Sequence, residues 1–179
     1  MLIHPMNSIK HWLTVFACIC FTLSVLVPSK VMAKEPKPTD KVLQVFQQAA
    51  DKSQAPTLVM EFDMASLKKL PPHTFTTHTP WHQSAVAFTG PLLRDILNAA
   101  KVKGHSITAI ALDDYKDTLP FSDAMNFDVI LAHSLNGEQI SMKNKGPLFV
   151  VYPYDSKKEL QSVRYYQRSV WQLKALIIE

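Results

Sequence analysis

The sequence turns on residues 74–100, TFTTHTPWHQSAVAFTGPLLRDILNAA. From Gly90-Pro91 onward the apolar residues Leu92, Leu93, Ile96, Leu97 and Ala100 recur at i, i+1, i+4, i+5 and i+8, one stripe of a 3.6-residue period. Pro91 suits a first helical position, since it has no N–H to leave unpaired and its φ is already helical. The spacing therefore predicts a buried helix that opens at Pro91. The preceding half carries four threonines, His78, Pro80, Trp81 and His82. It reads as a polar, aromatic, proline-stiffened loop delivered to the start of that helix. Loops of this kind, held by a rigid neighbour, are where ligands are met.

Ahead of this stretch, residues 1–33 have the layout of a secretory signal peptide. Lys10 and His11 precede an uncharged, apolar or small run of 16 residues from Trp12 to Val27, and Val31-Met32-Ala33 offers small residues at the −3 and −1 positions. The run is shorter than the roughly 20 residues that span a bilayer. The expectation is cleavage after Ala33, a periplasmic product and no stable membrane insertion. Cleavage leaves 146 of the 179 residues, enough for one domain with its own core. It also removes Cys18 and Cys20, the only two cysteines, and with them any disulfide, thiolate nucleophile or thiolate metal ligand. Lys10 and Lys30 leave as well, so 17 basic residues face 15 acidic ones, a formal +2. That balance gives no reason to invoke nucleic acid, which needs a clustered basic face.

Residues 34–41 form a charged, proline-rich lead-in, expected to be flexible, and 42–179 the domain. Residues 42–50 suit either a helix capped by Thr39 or Asp40 or a strand. Residues 58–62 read as a strand, and Asp63 as the N-cap of a short helix bearing Met64, Leu67 and Leu70, ended by Pro71-Pro72. Further strands are expected at 106–112, 127–132, 148–152 (the best buried) and 171–178. Asn136-Gly137 is a two-residue hairpin signal, because both positions tolerate positive φ. Four glycines and no repeat period argue against a phosphate-cradling fingerprint or a solenoid. Short strands with two or three short helices predict a single α+β domain.

His78 and His82 stand four apart, a metal-binding spacing on a helix, yet Pro80 between them disfavours helix and no third ligand is signalled nearby. Polar loop histidines are the simpler reading. Ser84, flanked by no glycine, does not form a nucleophile elbow.

Thr77-His78-Thr79-Pro80-Trp81 and the run Phe88 to Leu97 (FTGPLLRDIL) carry a family resemblance. Asp114-Tyr115, Gly146-Pro147 with Tyr152-Pro153, and Arg168 with Trp171-Gln172 follow in the expected order. Together they resemble the sulfite-oxidase-type molybdopterin-binding oxidoreductase domain, in its small exported members. The resemblance implies a single mixed-sheet α+β domain and favours a strand at 42–50. In catalytic members a cysteine thiolate ligates molybdenum, and Thr77 falls at that position here. A threonine hydroxyl is barely ionised at neutral pH and too hard a donor to replace soft sulfur. Molybdenum is therefore not expected, while the means to hold a pterin or molybdopterin-like ligand remain. A flat bicyclic ring with several donors and acceptors suits an aromatic wall with a few fixed polar groups. The resemblance nominates Trp81, Tyr115 and Tyr152 for the wall, and Thr77, His78, Asp114 and Arg168 for the polar edge. It further implies a partner, the periplasmic part of a membrane-bound sensor such as a cyclic-dinucleotide enzyme or histidine kinase. The alternative is a molybdopterin-dependent oxidoreductase subunit whose cofactor binding needs no cysteine.

Overall fold

The computed structural model describes residues 40–179. The expected signal peptide and most of the 34–41 lead-in lie outside the described residues. In chain order the strands are β1 (Lys41–Gln47), β2 (Thr57–Asp63), β3 (Pro72–Thr77), β4 (Val86–Pro91), β5 (Ser106–Ala111), β6 (Lys116–Pro120), β7 (Ile130–Ala132), β8 (Ser134–Leu135), β9 (Glu138–Gln139), β10 (Phe149–Val151) and β11 (Leu173–Ile178). The helices are short: α1 (Met64–Leu67), α2 (Leu93–Ala99), α3 (Phe121–Asn126) and α4 (Val163–Arg168).

A five-stranded sheet runs in the order β2-β1-β11-β5-β6. Its one parallel pair is β1 with β11; the other three pairs are antiparallel. The sheet is mixed, as expected, and the chain at 41–47 is strand, not helix. Along β5 the side chains of Ile107, Ala109 and Ala111 are buried while Ser106, Thr108 and Ile110 are half-exposed, the period of 2 that puts one face on the core. A second sheet, β3-β4-β8-β9, and a two-stranded β10-β7 pair complete the layers. Every residue of β7 and β10 is buried, so both faces are covered and the sequence there is a continuous apolar run. Each such Ile, Leu, Val or Phe side chain contributes about 1.5–3 kcal/mol by leaving water.

Several boundaries differ from the sequence reading. The threonine-rich segment expected as loop is largely β3, paired residue for residue with β4 from Pro72↔Pro91 to Thr77↔Val86. Thr74 and Thr89 join hydroxyls across the pair at 2.8 Å, which explains a strand with so little apolar character. Only 78–85 is loop. Pro91 ends β4 instead of opening a helix, and α2 begins at Leu93, whose N–H bonds the Val129 carbonyl at 2.8 Å. The residue just before β7 thus satisfies the helix start that no side chain caps. Gly90 permits that approach, since a Cβ there would lie 1.9 Å from the Leu131 carbonyl oxygen. The strand expected at 127–132 is confined to 130–132, and β6, α3 and α4 had no clear period to reveal them. Asp63 does cap α1, accepting the Ser66 N–H at 2.8 Å. Asn136 and Gly137, at φ 50° and 85°, do turn the β8–β9 hairpin.

Candidate functional site

The loop after β3 is built to present Trp81. Thr79, buried, accepts the Trp81 N–H on its hydroxyl at 3.3 Å and pairs the same oxygen with His82 Nδ1 at 2.7 Å. Pro80 occupies the second position of the turn that the His82 N–H closes on the Thr79 carbonyl at 3.5 Å, where its fixed φ belongs. The indole is half-buried and meets Phe149, Trp171, Tyr166 and Tyr154 edge to face, at centroid distances of 5.4, 5.6, 6.1 and 6.4 Å. Such pairs add about 0.5–1.5 kcal/mol each beyond burial.

Beside Trp81 opens a cleft of about 370 Å³ lined by Tyr115, Val163, Tyr166, Trp171 and the polar groups of Asp113, Gln167 and Ser169. Its size falls in the usual range for small-molecule sites. Tyr115 is half-exposed, and burial together with Asp117 raises its hydroxyl above the ordinary phenol range, so it remains a donor. Asp113 spends Oδ1 on the Tyr115 N–H at 3.1 Å, and its second oxygen has no hydrogen-bond partner among the described residues. A carboxylate oxygen so placed suits adjacent N–H donors on one ring edge. A second cleft, of about 360 Å³, lies under the same indole and is lined by His82, Glu138, Lys143 and Lys145 among others. Burial, and then Lys145, lower the pKa of His82, favouring the neutral ring.

The structure sorts the residues nominated from sequence into three groups. Trp81 and Tyr115 meet at the first cleft. Thr77 and His78 do not line it and are committed to Asp155. The Thr77 hydroxyl, fully buried, accepts the Asp155 N–H at 3.0 Å, and Asp155 Oδ2 accepts both the His78 N–H and its Nδ1–H at 2.8 Å. Burial would raise the Asp155 pKa, but the His78 bonds outweigh it and the net shift is downward. The imidazole is otherwise exposed, beside a shallow cleft that includes Tyr166 and Gln161. Tyr152 and Arg168 line none of these three clefts. The fully buried Tyr152 donates its hydroxyl to Asp123 Oδ2 at 2.8 Å, and Arg168 Nη1 donates to the same oxygen at 2.9 Å. Burial and Asp123 push the Tyr152 hydroxyl far above the phenol range. Both residues brace α4, whose Val163, Tyr166 and Gln167 form a wall of the cleft. Asp114, at φ 67°, points its carboxylate to Lys174 at 2.6 Å and is mostly exposed. Its neighbour Asp113 takes the cleft position. Tyr166 and Trp171 supply the aromatic wall in place of Tyr152; Trp171 stood among the motifs of the resemblance without a role, and Tyr166 had only the aromatic run 165–171 as its signal. His78 and His82 each have Nδ1 occupied, and among the described residues no group of three or more His, Cys, Asp and Glu converges on one point.

The family model for the oxidoreductase molybdopterin binding domain matches residues 52–168. The chain belongs to that family. Among solved structures, the sulfane dehydrogenase SoxCD from Paracoccus pantotrophus matches this molybdopterin-binding domain with a TM-score of 0.58 at 21% identity. The match covers 82% of this chain and 40% of that one, so the present chain spans less than half of that protein's length. At this identity the likeness shows the fold alone, and the fold is the sulfite-oxidase-like α+β domain. Comparison with curated proteins gives no match.

The family implies a pterin-type cofactor, and the two halves of molybdopterin meet different fates here. The ring half fits: the first cleft offers an aromatic wall and an unspent carboxylate oxygen. The metal half does not. The residue at the expected ligand position, Thr77, is an alcohol whose oxygen already holds Asp155, and residues 40–179 contain no cysteine.

Proposed function

We propose that this chain is an exported, non-catalytic pterin-binding protein that reports its ligand to a membrane-bound sensor. The observation that carries the reading is the pairing of a well-formed aromatic cleft around Trp81 with a Thr77 hydroxyl locked to Asp155. One element of the family's chemistry is retained in usable form, and the thiolate that would make the other redox-active is replaced by a structural hydrogen bond. In this reading Trp81, Tyr115 and Trp171 surround the ring by stacking and edge contacts. Asp113 Oδ2 accepts from the amino-amide edge, and Gln167 stands beside it.

Export is supported by the layout of residues 1–33. The sensor partner is supported by the rim of the same cleft, where Tyr115, Val163 and Trp171 remain 50%, 68% and 39% exposed. Exposed apolar groups gathered around a ligand site are suited to a partner that reads the loaded state.

Protein purified natively from a molybdenum-replete, cofactor-competent host tests the reading. Mass spectrometry of the released small molecules should find a pterin, and elemental analysis should find molybdenum well below one atom per chain. Stoichiometric molybdenum would sink the non-catalytic part. A protein that neither carries nor takes up any pterin would sink the rest.

A further inference from the structure

A further cleft, of about 590 Å³, is lined by Lys101, Val102 and Lys103, which follow α2, and by Phe121 and Met125 of α3. It shares no residue with the clefts around Trp81 and His78. Phe121 and Met125 stand four apart and so share one face of α3; the first is half-buried and the second 41% exposed. Lys101 and Lys103 are exposed, and neither is ion-paired to a carboxylate among the described residues. No carboxylate stands among the lining residues. The acids closest in the chain are committed elsewhere: Asp123 to Tyr152 and Arg168, and Glu179, whose backbone packs on Gly104, to Lys52 and Thr108.

The backbone that carries the lysines is fixed. The Val102 N–H closes on the Leu97 carbonyl at 3.2 Å and the Lys101 N–H on the Asn98 carbonyl at 3.0 Å. This double closure ends a helix on a left-handed residue, usually glycine. Lys101 fills that position at φ 55°, which a residue with a Cβ adopts at a cost. A cation there also suits the negative end of the helix dipole, but Lys103, beyond the helix, has no such role. A Cβ on Gly104 would fall 2.3 Å from the Glu179 carbonyl oxygen, so only glycine lets the loop lie this close to the end of β11. The His105 N–H bonds that same carbonyl at 2.6 Å, and the His105 carbonyl accepts the Phe121 N–H at 2.8 Å, which ties α3 to the loop. With the N–H groups of 101, 102, 105 and 121 spent, the cleft offers little backbone to an extended peptide. What it does offer is apolar side chain and two free ammonium groups.

We infer that this cleft binds a single-chain anionic amphiphile, such as a fatty acid anion. The chain lies along Phe121 and Met125, and Lys101 and Lys103 hold the head group. Two cations without a lining carboxylate select the sign of the head, through charge-assisted hydrogen bonds. The unbranched, polarisable Met125 adapts to a flexible chain. A concave floor with a few polar groups at its edge suits one enclosed molecule, whereas a bilayer is met by apolar groups that insert from a face. The site is independent of the pterin reading and shares no residue with it.

The experiment uses the complete protein and its Lys101→Gly/Lys103→Gln variant. Methyl NMR of the methionines, with the Met125 signal assigned through Met125→Leu, follows titrations with three probes, each below its micelle concentration. The probes are dodecanoate, the short anion hexanoate, and dodecyltrimethylammonium, which has the same chain with the opposite charge. Dodecanoate should shift the Met125 methyl saturably and bind wild type about tenfold more tightly than either of the others, as charge-assisted hydrogen bonds of this order require. The double variant should lose the preference for the anion over the cation. Its melting temperature should hold or rise, because glycine suits the left-handed position and neither lysine has an ion-pair partner. A fall would leave Lys103→Gln alone to carry the same comparison. Equal affinity for the three probes, a preference that survives removal of the charges, or no saturable shift at Met125 overturns the site. Two controls name the rival occupants. Vesicles of phosphatidylglycerol that shift Met125 while free dodecanoate does not would make this a membrane contact and overturn the proposal. An alternating Glu–Leu peptide that outcompetes dodecanoate would overturn it in favour of a protein partner.

Discussion

Two clusters of the same residue types sit on either side of α4, and they do opposite things. In the buried one, Tyr152, Asp123 and Arg168 satisfy one another through a single carboxylate oxygen. In the open one, Tyr115 lines a cleft with its hydroxyl engaged by Asp117, and Asp113 keeps one carboxylate oxygen without a partner among the described residues. Tyrosine, aspartate and arginine are the ordinary vocabulary of ligand recognition, and the family resemblance nominated Tyr152 for the aromatic wall and Arg168 for the polar edge. What separates a brace from a binding group is whether its polar atoms are already taken. The first cluster holds the wall in place; the second is what the wall presents.

The largest expected effect comes from breaking the brace. Asp123→Ala removes the acceptor of two donors and strands a guanidinium in a mostly buried setting, which costs on the order of 3–5 kcal/mol. Urea unfolding should show that loss. Arg168→Ala should cost less, about 1.5–3 kcal/mol, because the bond from Tyr152 to Asp123 survives. Pterin affinity should fall in both variants only to the extent that α4 loosens. An Arg168→Ala protein with unchanged stability and much weaker binding would move Arg168 into the site and break the contrast.

On the open side the order of effects inverts. Tyr115→Ala should weaken pterin binding by about 1–2 kcal/mol, the scale of one lost aromatic contact, while stability stays within about 0.5 kcal/mol, as for other exposed positions. Trp81→Ala should lose more affinity, about 1–3 kcal/mol. It should also lower stability, since four aromatic neighbours lose their packing. The two variants together separate wall from core: if Tyr115→Ala binds normally, the cleft is not where the ring sits. A finer version uses neighbouring aspartates. Asp113→Asn should weaken binding by about 1 kcal/mol and Asp114→Asn should leave it unchanged, both measured by calorimetry.

That last pair shows where the sequence stops being informative. The order of motifs was enough to place the fold, the Trp81 loop and the neighbourhood of residues 113–115. It could not choose between two adjacent aspartates, because the choice is made by a positive φ at Asp114 that sends one carboxylate to Lys174. Thr79 was likewise invisible as the residue that seats Trp81, being one threonine of four. The strand 72–77 lacked an alternating apolar pattern, since its threonines pair across to β4 and its exposed face needs no apolar residues. α4 was hidden for a related reason. Its aromatic residues face two directions, Tyr166 to the cleft and Tyr165 to Tyr152 and Phe127, so no single stripe stands out. Lys143 and Lys145 carry no motif at all; only the turn that Gln172 and Gly146 pin brings them under Trp81.

The smallest effect concerns acid. His133 is buried, and desolvation, followed by Lys68, lowers its pKa below the ordinary 6.5; His82 is lowered by burial and Lys145, less completely enclosed. A histidine depressed in the folded protein binds more protons when unfolded, so stability rises with pH through the interval between the two values. The contribution is fully present above about pH 6.5 and is lost as pH falls toward the lowered folded values. The carboxylates held down by partners, Asp114 and Asp155 among them, act in a separate and more acidic window. The melting temperature should therefore decline by a few degrees between pH 7.5 and 5, before the carboxylates titrate. His133→Gln, which keeps a neutral polar side chain, should flatten most of that slope. His82→Gln should flatten less of it, and its share should shrink in high salt, since the part due to Lys145 is screened while desolvation is not. A slope that His133→Gln leaves intact would place the acid sensitivity outside the core and within the open side of the molecule.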